Sequence, residues 1–196
     1  MALPFMLALC LLLAACGGNP ESSPSDGGST SGADRQEDQT PENGGKKEPL
    51  APVEVGDDYR DFTATLADGS SITLSDHEGT VILLNFWATW CGPCVREMPA
   101  FPMLVEKYGE DLTLLAVNLG EAEVNVKSFL ERNEYEFPVA LDQEGEIGML
   151  YPSDGIPYTV LIGRDGKIAS IHLGADTADA MYAAYCEEID ALLEEE

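Results

Sequence analysis

Apolar residues are spread along the chain in several distinct patterns, and each pattern predicts a different kind of element. Met1 to Ala15 is apolar throughout, too short for the roughly 20 residues that a membrane-spanning helix needs, and reads as an export signal. From Gly17 to about Asp57, Gly, Ser, Pro, Asp, Glu and Asn replace almost every large apolar side chain. Such a segment cannot bury enough surface to offset its ordering entropy, and as a flexible coil it has an average reach of roughly 35 Å. The pattern then changes. Phe62 to Leu74 alternates around Asp68-Gly69, which predicts a β-hairpin. Val81 to Ala88 and Leu112 to Leu119 are nearly continuous apolar runs, as expected of central parallel strands covered on both faces. Between them, Gly92 to Tyr108 carries Val95, Met98, Phe101, Leu104 and Val105 at helical spacing, which completes a βαβ unit. A helix over about Glu123 to Arg132, presenting Val124, Phe129 and Leu130, leads to a short strand at Phe137 to Leu141. Tyr158 to Ile162 and Lys167 to Ile171 flank Asp165-Gly166 as a second hairpin, and Met181, Tyr185, Ile189 and Leu192 mark a closing helix over about Thr177 to Leu193. The order predicts an α/β fold with a central mixed β-sheet flanked by helices, one domain over 58–196 preceded by a signal over 1–15 and a linker over 16–57.

At 196 residues and 44% hydrophobic, the chain has material for one ordinary core plus a tail. Its formal charge of -26 divides unevenly. Residues 1–57 hold nine Asp or Glu against three Lys or Arg, a net of -6, which leaves -20 on the domain. A domain this acidic repels phosphate backbones and anionic lipid surfaces at long range, so no nucleic-acid partner is expected. A membrane link must come from elsewhere. Leu13-Ala14-Ala15-Cys16, followed by Gly17-Gly18, resembles the lipobox of bacterial lipoproteins, in which cleavage leaves a lipid-bearing cysteine at the mature N-terminus. That resemblance makes Cys16 the lipidation site and Cys10 part of the discarded signal.

The chemistry concentrates at Cys91-Gly92-Pro93-Cys94, just after a buried strand and at the first turn of a helix. A helix N-terminus offers unpaired N–H groups and partial positive charge, which favour a thiolate on the first cysteine. Cys91 is therefore the expected nucleophile and Cys94 the resolving cysteine, while Pro93 fits a position where no N–H is needed. Two other readings use the same residues. A zinc site needs four ligands, and the remaining candidates, Cys186, His77 and His172, are scattered singly. A purely structural disulfide would close too short a loop to constrain the unfolded chain much. His77 and His172 are read as ordinary surface or edge residues, Cys186 as a small partly buried one, Trp87 as core, and Trp90 as a cover beside the site.

The run Asn85-Phe86-Trp87-Ala88-Thr89-Trp90-Cys91-Gly92-Pro93-Cys94, with Glu97 and Pro99, resembles the membrane-anchored thiol-disulfide reductases of the ResA and TlpA type, AhpC/TSA-related members of the thioredoxin superfamily. The likeness continues through Ala116 to Glu121, Phe137-Pro138-Val139, Leu141-Asp142 and Gly155-Ile156-Pro157-Tyr158-Thr159, and so spans about 58–193. It implies a thioredoxin-like fold with an N-terminal β-hairpin and a central helix-strand insertion. It also implies a cis Ile156-Pro157 bond facing the cysteines, with Trp90, Gly92, Pro93, Ile156 and Pro157 receiving an extended substrate segment. Glu97 would be the acid near Cys94. Thioredoxins carry a buried Asp where this chain has Asn85, an amide that cannot titrate. Further implications are protein dithiol or disulfide substrates, apocytochrome c among the candidates, and a membrane electron donor of the CcdA or DsbD type. No cofactor is needed beyond the Cys91–Cys94 pair, and a monomer is expected. Family members acting on apocytochrome c often carry a charged residue between the cysteines, where this chain has Gly92-Pro93. A thiol peroxidase on the same fold, or a binding module that has kept the fold without catalysis, stands as the alternative. The peroxidase reading lacks its Pro-x-x-x-Thr/Ser-x-x-Cys context here.

Overall fold

The computed structural model describes residues 50–194. The expected signal, Cys16 and most of the linker lie outside the described residues.

The first strands, β1 (Thr63–Thr65) and β2 (Ser71–Thr73), pair antiparallel around the Asp68-Gly69 turn. Gly69 takes a φ of 91°, and the Asp68 carboxylate accepts the Ser70 N–H at 2.9 Å. Both features suit a tight reversal, where a left-handed residue and an Asx-type bond are needed. The main sheet has the order β5-β4-β3-β6-β7. Its strands are β3 (Val81–Trp87), β4 (Leu112–Leu119), β5 (Val139–Asp142), β6 (Tyr158–Ile162) and β7 (Ile168–Leu173). β3, β4 and β5 run parallel, and β6 and β7 run antiparallel to their neighbours.

All seven residues of β3 are buried because both faces of the sheet are covered. Val81, Leu83 and Trp87 belong to one apolar cluster with Met98, Phe101, Leu104, Phe129 and Tyr185. Ile82, Leu84 and Phe86 belong to the other, with Phe62, Leu74, Ile147 and Tyr151. Alternating side chains of one strand thus serve two cores, which is why the sequence shows an unbroken apolar run.

The helical segment after β3 is two helices, α1 (Gly92–Glu97) and α2 (Ala100–Tyr108), where one was expected. Pro99 separates them, since it has no N–H for the helical ladder and its ring crowds the carbonyl four residues back. The next helix, α3 (Glu123–Asn133), buries Val126, Phe129 and Leu130, whereas Val124, expected on the inner face, is 71% exposed. A short helix, α4 (Glu146–Leu150), was not anticipated. Its start is held by the Asp142 carboxylate, which accepts from the N–H groups of Ile147 at 3.1 Å and Gly148 at 2.7 Å. The closing helix, α5 (Ala178–Glu194), packs against α1 and α2 through Met181, Tyr185 and Ile189.

The domain begins earlier than Asp58. Val53 is buried in the second core, and the Gly56 N–H donates to the Ile168 carbonyl at 2.8 Å. One apolar side chain and a few backbone bonds anchor a stretch whose composition reads as linker. Among the described residues no helix is long and apolar enough to cross a membrane.

Candidate active site

β3 delivers the chain to the end of the sheet, and the turn Ala88–Trp90 redirects it into α1. Cys91 is the N-cap of α1 and forms a disulfide with Cys94, with the Cα atoms 5.3 Å apart. The Cys94 N–H donates to Cys91 Sγ at 3.2 Å, one of the unpaired N–H groups of the helix start turned onto sulfur. In the reduced protein the same bond favours a thiolate on Cys91. Cys91 retains 5% exposure and Cys94 none, so Cys91 is the more accessible residue of the pair.

Cys91 Sγ also lies 3.6 Å from the carbonyl oxygen of Ile156. In the disulfide this is a contact only, because the sulfur carries no proton. Reduction supplies an S–H that can donate to this carbonyl. Ile156 is half-buried, Pro157 buried, and the bond between them is cis, as the sequence led us to expect. Gly92 and Pro93 are exposed at the start of α1. Trp90, expected to cover the pair, stands 72% exposed beside it. Leu173, at the end of β7, is 59% exposed and packs its Cδ1 4.0 Å from where a Cβ on Gly155 would lie. Ile156 packs against the apolar cluster that includes Cys91 and Cys94, and Trp90 is their exposed apolar neighbour.

Glu97, the last residue of α1, has no exposure at all, so it is not a solvated acid on the helix surface. It sits three residues after Cys94, about 5 to 6 Å away between Cβ atoms on the same helical face. Three distant elements enclose it. Asn85 Nδ2 on β3 donates to Glu97 Oε1 at 2.9 Å and to Thr159 Oγ1 at 2.8 Å, and Tyr185 Oη on α5 donates to Glu97 Oε2 at 3.2 Å. Tyr185 Oη also lies 3.1 Å from Thr159 Oγ1. Burial pushes the Glu97 carboxyl up to about 7, against the opposing pull of the hydrogen bonds from Asn85 and Tyr185. A carboxyl of that affinity can accept a proton from a neighbouring thiol near neutral pH and return it.

Asn85, Thr159 and Tyr185 were not singled out as partners of Glu97 from sequence. A faint signal existed in Asn85 and Thr159, polar residues inside otherwise apolar strands. Tyr185 was legible only as a member of an apolar stripe. His172 Nε2 lies 3.0 Å from Glu188, and its ring meets that of Tyr185 edge-on with centroids 5.5 Å apart, placing it on the sheet edge under α5. His77 Nδ1 hydrogen-bonds Thr113 Oγ1 at 3.1 Å. Cys186 is a free, half-buried cysteine. Neither histidine nor Cys186 joins the pair, and among the described residues no group of three or more His, Cys, Asp or Glu is arranged to hold a metal.

Comparison with known proteins agrees with this geometry. The model of the AhpC/TSA family matches residues 55–171. Over 130 residues the chain is 36% identical to the thiol-disulfide oxidoreductase ResA of Bacillus thuringiensis, covering 66% of this chain and 75% of that one. A crystal structure from Chlorobium tepidum, assigned as the thiol:disulfide interchange protein DsbE, superposes with a TM-score of 0.66 at 36% identity, covering 72% of this chain and 99% of that one. The exposed lipoprotein thioredoxin of Streptococcus pneumoniae superposes with a TM-score of 0.57 at 28% identity, covering 65% and 99%. A disulfide-bonded Cys91–Cys94 pair at the head of a helix, on a fold and sequence shared with these proteins, places the chain in the AhpC/TSA family as a thioredoxin-like thiol-disulfide oxidoreductase.

Proposed function

We propose that this oxidoreductase works as a reductase of disulfides in exported proteins, apocytochrome c among them, outside the cytoplasm and tethered to the membrane by a lipid on Cys16. The observation that carries the reading is the pairing of a barely exposed Cys91 at a helix N-cap with a fully buried Cys94 beside an equally buried Glu97. In the reduced protein the Cys91 thiolate attacks one sulfur of a substrate disulfide. The substrate S–S bond breaks, its other sulfur leaves and takes up a proton, and a mixed disulfide forms. Cys94 then gives its proton to Glu97 and attacks Cys91 Sγ, expelling the second substrate sulfur. The substrate gains two electrons and two protons, and the Cys91–Cys94 bond forms. An electron donor of the CcdA or DsbD type in the membrane returns the pair to the dithiol state. No cofactor takes part, and a monomer suffices. Trp90, Gly92, Pro93, Ile156 and Pro157 receive the substrate segment next to the attacked sulfur.

The direction of electron flow is tested by the reduction potential. Gly92-Pro93 between the cysteines matches general thioredoxins, and we expect a value more negative than about -200 mV. Equilibration with glutathione that gave the potential of a strong oxidant, near about -120 mV, would overturn the reductase reading. Peroxide turnover comparable to disulfide turnover would instead favour a peroxidase.

Anchoring has its own test. The lipobox-like Leu13-Ala14-Ala15-Cys16 and the lipoprotein nature of the pneumococcal neighbour support it. Full-length protein is expected in the membrane fraction and Cys16→Ala in the soluble fraction. Equal retention of both would remove the lipid from the account.

A further inference from the structure

We infer that Glu121 is a positioning residue for the redox pair, whose carboxylate clamps the Thr89 turn and so fixes where Cys91 stands at the head of α1. Glu121 lies just past the end of β4, the strand that runs parallel to β3 with Asn118 opposite Trp87. Its Oε2 accepts the Thr89 N–H at 2.7 Å and Asn118 Nδ2 at 2.8 Å, and its Oε1 accepts the Thr89 hydroxyl at 2.6 Å. Gln143 Nε2 holds the Glu121 backbone carbonyl at 3.2 Å, which ties the clamp to the loop after β5 as well. Among the described residues Glu121 makes no ion pair. A half-buried carboxylate without a cation is costly unless its hydrogen bonds are good. Desolvation raises its proton affinity, yet the bonds from Thr89 and Asn118 outweigh that and hold it below the usual carboxylate range.

The turn it grips has little else to hold it. Between the last residue of β3, Trp87, and the first of α1, Gly92, the only backbone bond within the turn runs from the Cys91 N–H to the Ala88 carbonyl at 3.1 Å. Trp90, which precedes Cys91, is 72% exposed and so contributes little packing. Without the clamp, Thr89 would keep a half-buried N–H with no partner, and the turn would be free to relax. Thiol-disulfide exchange needs the attacking sulfur placed to within about 1 Å of its line of approach. Cys91 Sγ is balanced between the Cys94 N–H at 3.2 Å and the Ile156 carbonyl at 3.6 Å, so a shift of the turn changes both contacts.

This inference rests on Cys91 being the attacking cysteine, part of the reading above, but not on which protein is the substrate. The test is therefore the rate of reduced protein with glutathione disulfide at fixed pH. Glu121→Gln keeps the clamp without the charge: its amide oxygen can accept both N–H donors and its amide nitrogen can donate to the Thr89 hydroxyl oxygen. Glu121→Ala removes the clamp. We expect Ala to slow the reaction by about tenfold or more and Gln to restore it to within about threefold of wild type. A folded Ala variant as fast as wild type, or a Gln variant as slow as Ala, would overturn the inference. Should Glu121→Ala fail to fold, Thr89→Ser and Thr89→Val carry the same test, the first keeping the hydroxyl and the second losing it. Ser at the wild-type rate with Val slower supports the clamp, and equal rates for the two overturn it. Activity that survives Cys91→Ser would sink the assignment of the nucleophile instead, a result separable from every outcome at Glu121.

Discussion

Cys91→Ser is expected to abolish disulfide reduction, whereas Cys94→Ser should still attack once and then accumulate as a mixed disulfide with its substrate. The asymmetry follows from burial and backbone geometry. Cys91 is the N-cap, receives the Cys94 N–H, and is the only residue of the two with any exposure. Serine at that position offers no thiolate, and an alcohol is far too weak an acid to replace one near neutral pH. Cys94, with no exposure, cannot reach a protein disulfide directly but is already in bonding range of Cys91 Sγ, as the Cys91–Cys94 bond demonstrates. Its attack is intramolecular, and well-oriented intramolecular groups act at effective concentrations of about 10⁵ M or more. Replacing it with an external thiol at millimolar concentration slows release by at least about a thousandfold. Single-turnover kinetics with mass analysis of the trapped complex check both halves. A mixed disulfide that formed on Cys94 in Cys91→Ser, or rapid turnover by Cys94→Ser, would reverse the assignment.

The second large effect concerns Glu97 and pH. In the unfolded chain its carboxyl titrates near 4.5, and in the folded oxidised protein burial pushes it up to about 7. The folded state therefore holds a proton that the unfolded state has released across that interval. Stability falls as pH rises from about 4.5 to about 7 and levels off above. A gap of this size corresponds to about 3 kcal/mol. Glu97→Gln places a neutral group of the same shape against Asn85 and Tyr185, and this contribution disappears. The variant is expected to match wild type at pH below about 4.5 and to exceed it by about 3 kcal/mol at pH 8. Denaturation of both oxidised proteins across this range measures the difference, which cancels the titration of every other group. A constant difference would mean that folding leaves the proton affinity of Glu97 unchanged.

Catalysis should move the other way. Without an acceptor for the Cys94 proton, turnover of Glu97→Gln is expected to drop by about a hundredfold and to lose its inflection near neutral pH. A variant that is more stable and less active is the mark of a buried acid kept for chemistry. Equal activity with the stability gain retained would make Glu97 a purely structural burial.

The strands and the redox pair were legible in the sequence because both are local. Leu112–Leu119 and Tyr158–Ile162 were predicted with their observed limits, since each run is bounded by residues that interrupt a strand, Asp111 and Gly120 for the first and Pro157 and Gly163 for the second. Cys91 and Cys94 could be given roles from their spacing and their place between a strand and a helix. Local pattern did less well where a few residues decide. Pro99 splits what reads as one helix, Val53 pulls a linker-like stretch into the core, and α4 is started by the Asp142 side chain from the preceding strand.

The environment of each acid was decided by tertiary structure. Glu97 owes its burial to Asn85, Thr159 and Tyr185, which lie 12 to 88 residues away along the chain and come together only when β3, β6 and α5 pack. Glu121 reaches Thr89 across 32 residues through the pairing of β3 with β4. A hydrophobic period reports which face of an element turns inward, and every turn of the helix or strand repeats the signal. The proton affinity of a single carboxyl has no such repetition. It depends on how many distant atoms exclude water and which of them donate hydrogen bonds, and those atoms are assembled by the fold.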